Sequence, residues 1–304
     1  MRLLTSAPAK VNLVLRVGPP RPDGYHDLAS LMVPLDLGDR VEVRIGARPG
    51  PVTCRVPGHP DLDGAANLAA RAAAAFRERF GIDRSVAIRI AKRIPVTAGL
   101  GGGSSDAAAV LRCLARAFRI RDAAALAEVG LSIGSDVPFF LGPGPAWARG
   151  RGERLRPATV PPLHLVLLYP RHAALAIRAA DAYRWLDEDR RDRPAPPLPR
   201  GGRWRPTLLG NDLQPPCVAR HPPLDRLLDQ LTGAGATATL MSGSGPTVFG
   251  LFAGRAEARR AARGLGAAAS VDLEVHLART VTRQPGVSSW RSPTSASSRS
   301  TRRS

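Results

Sequence analysis

The chain has 304 residues, 44% of them hydrophobic and 23% charged, which is enough to bury the cores of two ordinary domains. Its formal net charge of +19 would suit a protein that binds nucleic acid. The arginines that carry this charge are spread along the whole sequence with few aromatic residues between them, so nucleic-acid binding is the weaker interpretation.

The sequence also predicts a cytoplasmic protein without a membrane anchor. No apolar run approaches the roughly 20 residues of a membrane-spanning helix. Residues 1–4 lead into Pro8 without the pattern of a signal peptide. The three cysteines, Cys54, Cys113 and Cys217, lack the spacing of a metal or redox motif, which is typical of a reducing compartment.

Residues 6–17 alternate as a β-strand does. One face would carry Val11, Leu13 and Leu15, and the other would carry Lys10 and Asn12. These two polar residues either contact a ligand together or lie on the solvated face of an edge strand.

A turn-rich loop over residues 18–26 ends in Tyr25 and His26. A tyrosine ring offers a face for stacking on a base, and a neutral histidine offers one donor and one acceptor, although both residues could simply pack the loop. Two strands are predicted next, over 28–37 and 40–45, joined by a turn at Gly38 and Asp39. A helix then opens at Asn67, which suits an N-cap as well as a ligand contact, and ends at Gly81.

The most informative stretch is the glycine-rich segment of residues 95–106, between the predicted strand 86–90 and a helix whose apolar residues run from 107 to 118. A loop of this kind exposes backbone N–H groups, and the helix start adds further unpaired N–H groups and a positive dipole end. We therefore expect an anion site, most plausibly for phosphate.

Two familiar phosphate loops do not fit this spacing. A Walker loop needs lysine and then serine or threonine after its last glycine, but Ser104, Ser105 and Asp106 follow here. A dinucleotide-binding fingerprint would require glycine or alanine at position 104 and an acidic residue about 20 residues further on. A glycine-rich tight turn with no ligand is the remaining structural alternative.

Lysine is rare in this chain, since only Lys10 and Lys92 accompany the arginines. An ammonium is a compact point charge that a forked guanidinium cannot replace in a tight site, so these two positions are functional candidates. Asp136 lies among apolar residues, where a carboxylate is costly without a partner. It either caps a turn before Pro138 or pairs with a lysine.

A second domain is predicted to begin with a strand at 163–169. Tyr183 lies in the segment after this strand and offers a second aromatic ring. Residues 187–206 suggest an exposed insertion, and a helical stretch opens at residues 210–213. Residues 234–252 indicate a strand, a glycine turn and a strand, with residues 242–246 able to fold over a ligand. A helix at 256–265 and a strand at 271–277 precede a Ser/Arg-rich tail.

Four of these segments, in this order, resemble the motifs of the GHMP kinases: residues 8–13, 95–108, 134–140 and 241–249. The resemblance implies an α+β fold of two domains, a ribosomal protein S5 domain 2-like N-terminal domain over 1–157 and a ferredoxin-like C-terminal domain over 158–283. Residues 284–304 would form a disordered basic tail. The implied reaction moves the γ-phosphate of ATP, with Mg²⁺, onto a hydroxyl of a small molecule.

The resemblance also assigns roles. Lys10 and Asp136 would be catalytic, and Ser104 or Ser105 would touch Mg²⁺. The residues expected to bind ATP are Asn67, Lys92, Pro95, Ala98, Gly99, Leu100, Gly101, Gly102, Gly103, Ser104 and Ser105.

The segment of residues 21–26 is most like the members whose substrate carries a cytidine diphosphate. The residues expected to bind that substrate are Asn12, Tyr25, His26, Tyr183, Gly243 and Ser244. The protein would be a monomer or homodimer. Homoserine kinase is the alternative within the family.

Overall fold

The computed structural model describes residues 1–191, 198–199 and 201–289. The strands are β1 (Arg2–Pro20), β2 (His26–Ile45), β3 (Val52–Arg55), β4 (Val86–Ala91), β5 (Ala146–Gly150), β6 (Arg154–Pro157), β7 (His164–Pro170), β8 (Gly210–Asn211), β9 (Ala238–Met241), β10 (Val248–Phe252), β11 (Leu273–Arg279) and β12 (Ser288–Ser289).

The α-helices are α1 (Leu68–Phe80), α2 (Gly102–Phe118), α3 (Ala123–Ile133), α4 (Val137–Leu141), α5 (Ala179–Asp189), α6 (Gln214–Arg220), α7 (Pro222–Gly233) and α8 (Arg255–Ala268). Within the described ranges, no helix is both long enough and apolar enough to cross a membrane.

The strands form two sheets. The eight-stranded sheet has the central order β12-β1-β2-β4-β3, with β5 also beside β2, β6 beside β5, and β8 parallel to β1. The four-stranded sheet has the order β11-β7-β10-β9 and is antiparallel throughout. Helices α1 and α2 pack on the first sheet, and α7 and α8 pack on the second.

The predicted turn at Gly38 and Asp39 is wrong, because β2 runs through both residues. Gly38 pairs with Pro8 and Asp39 with Ala7 across the sheet, and a β-bulge follows between Pro8 and Lys10. A bulge bends a strand without ending it, so a glycine beside an aspartate does not here mark a hairpin. Asp39 is instead almost completely buried.

The helix boundaries follow local capping chemistry. The Asn67 side chain accepts a hydrogen bond from the Ala69 N–H at 2.9 Å, and Gly81 adopts the left-handed conformation that ends α1. Helix α2 begins at Gly102, earlier than the apolar pattern from 107 indicated, so Ser104 and Ser105 lie in its first turn. Cys113 of this helix is fully buried in the core.

The second half of the chain contains the predicted strands and helices, and α7 lies within the helical stretch expected after residue 210. The insertion expected at 187–206 begins inside α5, while residues 192–197 and 200 lie outside the described residues. The tail expected to be disordered from 284 pairs with β1 at Ser288–Ser289, and residues 290–304 also lie outside the described part.

Candidate functional site

The glycine loop adopts a backbone that side chains would not tolerate at two positions. Gly99 and Gly101 have φ angles of 74° and 71°, in the left-handed region. A Cβ on Gly99 would lie 2.5 Å from the Ser242 carbonyl oxygen, and one on Gly101 would lie 3.0 Å from the Phe140 ring. The loop is therefore packed between the 242–246 turn and α4, with space only for glycine.

This loop and the first turn of α2 border a cavity of about 380 Å³. The predicted ATP-binding residues that line it are Asn67, Lys92, Pro95, Ala98, Gly99, Gly101, Gly102, Gly103 and Ser104. Two of the predicted residues face elsewhere: Leu100 is a core residue, and Ser105 is fully buried. We call this space the loop cavity.

A second cavity of about 670 Å³ lies beside it, and we call it the aromatic cavity. Both predicted catalytic residues and every predicted substrate-binding residue line it: Lys10, Asn12, Tyr25, His26, Asp136, Tyr183, Gly243 and Ser244. Ser104 lines both cavities. The sequence-based candidates are therefore brought together around two adjoining spaces that share one helix terminus.

Lys10 and Asp136 form an ion pair on the wall of the aromatic cavity. The Lys10 Nζ is 3.5 Å from the Asp136 Oδ2 and donates a 2.8 Å hydrogen bond to the Asn12 Oδ1. The Asn12 Nδ2 in turn donates to the Ser30 Oγ at 2.7 Å. The Lys10 side chain is only 7% exposed whereas that of Asp136 is 35% exposed, so the carboxylate is open to the cavity.

Asp136 occupies the N-cap position of α4, but its side chain makes no capping hydrogen bond there. The interpretation of Asp136 as a turn cap is therefore not supported, and its carboxylate is available to the lysine and to a ligand. Lys10 also reaches the loop through its backbone, because its N–H donates to the Leu100 carbonyl at 2.9 Å.

Lys92 lies in a buried cluster with two carboxylates beneath the loop cavity. Its Nζ donates to the Asp39 Oδ2 at 2.5 Å and to the Asp106 Oδ2 at 2.9 Å. Asp39 also accepts the backbone N–H groups of Arg93 and Ile94. The Asp106 Oδ1, in contrast, has no partner among the described residues.

Because one ammonium serves two carboxylates, one of them is expected to hold a proton. Burial raises the pKa of Asp106 to about 8, more strongly than the Lys92 charge lowers it, and the Asp39 charge raises it further. Burial alone would lower the pKa of Lys92, but the attraction of Asp106 and Asp39 raises it overall. Asp106 is therefore the protonated member, and Lys92 stays cationic.

The far side of the aromatic cavity combines aromatic rings with charged side chains. The His26 and Tyr183 rings stack with centroids 5.2 Å apart, and the His26 Nε2 lies 2.9 Å from the Asp187 Oδ1. Burial raises the pKa of Tyr183 to about 12, and the Asp136 charge raises it further. The Arg151 guanidinium lies over the Tyr25 ring, 4.6 Å from its centroid.

The turn over the glycine loop is held by a residue that sequence reasoning did not single out. The Asn211 Nδ2 donates to the carbonyls of Met241 and Gly243 at 2.8 and 2.7 Å. The turn also contacts the loop directly, since the Ser242 Oγ donates to the Gly99 carbonyl at 3.1 Å. Asn211 thus helps to position Gly243 and Ser244 against the aromatic cavity.

Other cavity residues were also missed, namely Ser30, Arg151 and Asp187. Asp187 follows Tyr183 by four residues, so helical periodicity places both on one face of α5 and could have indicated it. No comparable local signal marks Ser30 or Arg151, because their place depends on the pairing of β2 with β1 and β5.

Two family models match this chain. The GHMP kinases N terminal domain matches residues 67–144, and the GHMP kinases C terminal domain matches residues 203–271. A 4-diphosphocytidyl-2-C-methyl-D-erythritol kinase of Anaeromyxobacter sp. (strain K) is 73% identical over 100% of this chain and 99% of its own length.

Two solved structures extend the comparison. A crystal structure of 4-(cytidine 5'-diphospho)-2C-methyl-D-erythritol kinase is 36% identical, with a TM-score of 0.76 over 91% of this chain and 98% of its own. Homoserine kinase from Cytophaga hutchinsonii has a TM-score of 0.68 over 94% of this chain and 96% of its own, but only 17% identity, so it shares the fold alone.

The predicted α+β architecture is thereby confirmed. The division at residues 157 and 158 stays a prediction. Full-length similarity, the two matched domains and the shared fold lead to one conclusion: the chain belongs to the GHMP kinase family.

Proposed function

We propose that this chain transfers the γ-phosphate of ATP to the 2-hydroxyl of 4-diphosphocytidyl-2-C-methyl-D-erythritol, a step of the isoprenoid precursor pathway that does not use mevalonate. The relatives that match it over its whole length carry the name of this kinase. The observation that carries the proposal is the Lys10–Asp136 pair, which lies on the wall of the aromatic cavity together with Ser104, a residue of the loop cavity as well.

The loop cavity suits the phosphates of ATP. Its wall combines a glycine backbone with the N-terminus of the 17-residue helix α2, whose free N–H groups and dipole favour anions. Protonated Asp106 and cationic Lys92 leave the cluster beneath it without excess negative charge. The phosphoryl group would then be presented toward Ser104 and the aromatic cavity.

The side chains around the loop cavity could bind a magnesium ion only together with the phosphates of a bound nucleotide. The described residues contain no group of three or more His, Cys, Asp or Glu side chains that could hold a metal. Magnesium commonly keeps several waters and binds through substrate phosphates with one or two protein oxygens. Of the two candidate serines, Ser104 faces both cavities while Ser105 is fully buried, so we assign the hydroxyl contact to Ser104.

When bound, the ion would offset negative charge on the phosphates. The protein groups then act by position and charge, as is usual in phosphoryl transfer. Asp136 accepts the proton of the attacking hydroxyl or orients that hydroxyl toward the phosphoryl group. Lys10 offsets the charge of Asp136 and of the group in transfer, and Asn12 and Ser30 hold its ammonium in place.

The other end of the aromatic cavity suits a pyrimidine nucleotide. Tyr25, His26 and Tyr183 offer ring faces, and the His26 imidazole offers a ring nitrogen to the base edge. Asp187 fixes the His26 Nε2 as a donor, so the Nδ1 is the nitrogen left to the ligand. Arg151 lines the same space, and no carboxylate among the described residues pairs with its side chain, so it can face a diphosphate.

A coupled assay of ADP release tests the proposal. The protein is given ATP, Mg²⁺ and either 4-diphosphocytidyl-2-C-methyl-D-erythritol or homoserine. We expect turnover with the cytidine substrate and none above background with homoserine. Turnover with homoserine alone would assign the chain to the other kinase activity, and binding of nucleic acid without ATP turnover would overturn the enzyme assignment.

A further inference from the structure

A third cavity, of about 720 Å³, lies on the other side of strand β5 from the aromatic cavity. Successive side chains of a strand point to opposite faces. Ala148 accordingly lines the aromatic cavity, while Trp147 and Arg149 line the third one. We call this space the arginine cavity.

The pairing of β5 with β6 places three arginines on one face. Arg149 lies opposite Arg154, and Trp147 lies opposite Arg156. Residues 201–203 form the facing wall, where the Trp147 Nε1 donates a 2.8 Å hydrogen bond to the Gly202 carbonyl and Arg203 adds a fourth guanidinium. The cavity is thus built from two segments that are held together by a buried indole.

The charge of this cavity is unbalanced. No acidic side chain of the described residues lines it. Arg149 donates to the Pro199 carbonyl, and Arg154 has only a 3.9 Å contact with Glu153. Arg156 and Arg203 form no ion pair within the described part of the chain, whereas Arg184 and Arg220 on the surface each bridge two carboxylates.

Like charges directly opposite on paired strands destabilise a sheet. A bound anion removes that repulsion, and guanidinium groups match phosphate oxygens with two parallel hydrogen bonds. The volume falls within the roughly 300–1,000 Å³ that is typical of small-ligand pockets. We propose that the arginine cavity is a second anion site, separate from the catalytic cavities, which binds a compound that carries a diphosphate group.

A fluorescent label inside the cavity tests this directly. Thr159 is an exposed residue of its lining, and the three native cysteines are buried, so Thr159→Cys can be labelled selectively with an environment-sensitive dye. The labelled protein is titrated at constant ionic strength with inorganic diphosphate, with ADP and with sulfate. We expect a saturable signal with inorganic diphosphate or with ADP, and no signal with sulfate. The titration with ADP shows whether the cavity accepts a nucleotide.

The same titration is repeated in the background Arg156→Gln/Arg203→Gln, where we expect diphosphate affinity to fall by at least about 10-fold. The matched control is Arg259→Gln/Arg263→Gln, which removes two exposed arginines from the convex face of α8 and should leave the affinity unchanged. Equal losses in both double variants, or a signal that never saturates, would show a general charge effect and overturn the site.

This experiment is independent of the kinase assay. If the label does not respond, the anion site is overturned, but the result of the ADP-release assay is unchanged. Conversely, a protein without kinase activity can still bind diphosphate at the arginine cavity. Circular dichroism of both double variants checks that a lost signal does not come from unfolding.

Discussion

The two lysines of this chain each meet carboxylates, but under opposite conditions. Lys92 is enclosed with Asp39 and Asp106, and none of the three side chains is more than 8% exposed. Lys10 is equally buried, yet its partner Asp136 is 35% exposed at a longer distance of 3.5 Å. The same pair of chemical groups therefore forms a structural cluster in one place and an ion pair open to a ligand in the other.

This difference teaches that scarcity of a residue type marks a constrained position without saying which constraint acts. Both lysines are functional candidates from the sequence, because arginine occupies every other basic position. Only the structure shows that the carboxylate partners of Lys92 are buried at the loop cavity, while the partner of Lys10 is exposed to the aromatic cavity. The following predictions test this division, beginning with the largest effect.

Replacing Lys92 should damage folding. Lys92→Met leaves the buried Asp39 carboxylate, beside the protonated Asp106, without a cation, and breaking a buried charge cluster in this way costs about 3–5 kcal/mol of unfolding free energy. Urea denaturation followed by circular dichroism measures the loss. Lys10→Met is the matched control and should cost much less, because Asp136 remains in contact with solvent.

Lys92→Met could fail to fold, so a second variant keeps this prediction testable. Lys92→Met/Asp39→Asn removes the buried carboxylate charge that has lost its cation and should recover part of the lost stability. Equal losses for Lys10→Met and Lys92→Met would contradict the proposed division between the two lysines.

Replacing Asp136 should damage turnover and spare the fold. Asp136→Asn removes the proposed proton acceptor, and kcat should fall by a factor on the order of 10² or more, the scale of general-base loss. The KM for ATP should stay close to that of the native protein, and the unfolding free energy should fall by less than in Lys92→Met, because Lys10 keeps its hydrogen bond to the Asn12 Oδ1. An unchanged kcat would remove Asp136 from the mechanism.

The buried cluster should also give stability a particular pH dependence. The pKa of Asp106 is raised from 3.8 to about 8, so between these values the folded state binds more protons than the unfolded state. The stability that this proton provides is fully present below the unfolded pKa and is lost as the pH rises toward 8, by up to about 1.4 kcal/mol per pH unit.

Asp106→Asn imitates the protonated carboxyl and should flatten this part of the profile. Urea denaturation at pH 5, 7 and 9 compares the two proteins. The native chain should lose stability relative to the variant from pH 5 to pH 7 and change little above pH 8. Parallel curves would mean that Asp106 is ionised throughout this range.

The smallest effect is expected from exchanging the cation at position 10. Lys10→Arg keeps the charge, but the ammonium is only 7% exposed and is held by a 2.8 Å hydrogen bond to the Asn12 Oδ1. A forked guanidinium cannot take the place of this ammonium without shifting its neighbours. We expect kcat to fall about 10-fold, equivalent to about 1.4 kcal/mol, with little change in Tm; full activity would show that only charge matters at this position.

The loop, the helix it opens and the polar residues of β1 were predictable because their signals are local. Glycines followed by hydroxyl residues and an apolar helical repeat predict a strand, loop and helix with an anion site, without tertiary information. Asp136 stood out because a charge among apolar residues needs a partner. The order of the four motifs along the chain then indicated the family and its two-domain fold.

Other features depend on contacts that sequence spacing does not contain. Asp39 resembled a turn residue, yet it is buried because β2 runs past a bulge and brings it beside Lys92. Asn211 acts on a turn 30 residues further along the chain. The residues of the site that the sequence did not predict are thus those whose partners come from another strand or another sheet.

The backbone contact between Lys10 and Leu100 has a practical consequence. One residue carries both the N–H that donates to the glycine loop and the ammonium that contacts Asp136. In the proposed reaction, strand position 10 would therefore link the ATP side of the site to the alcohol side. Engineering that alters the accepted alcohol can reshape the cavity around Tyr25 and Tyr183, but it must leave strand position 10 where it is.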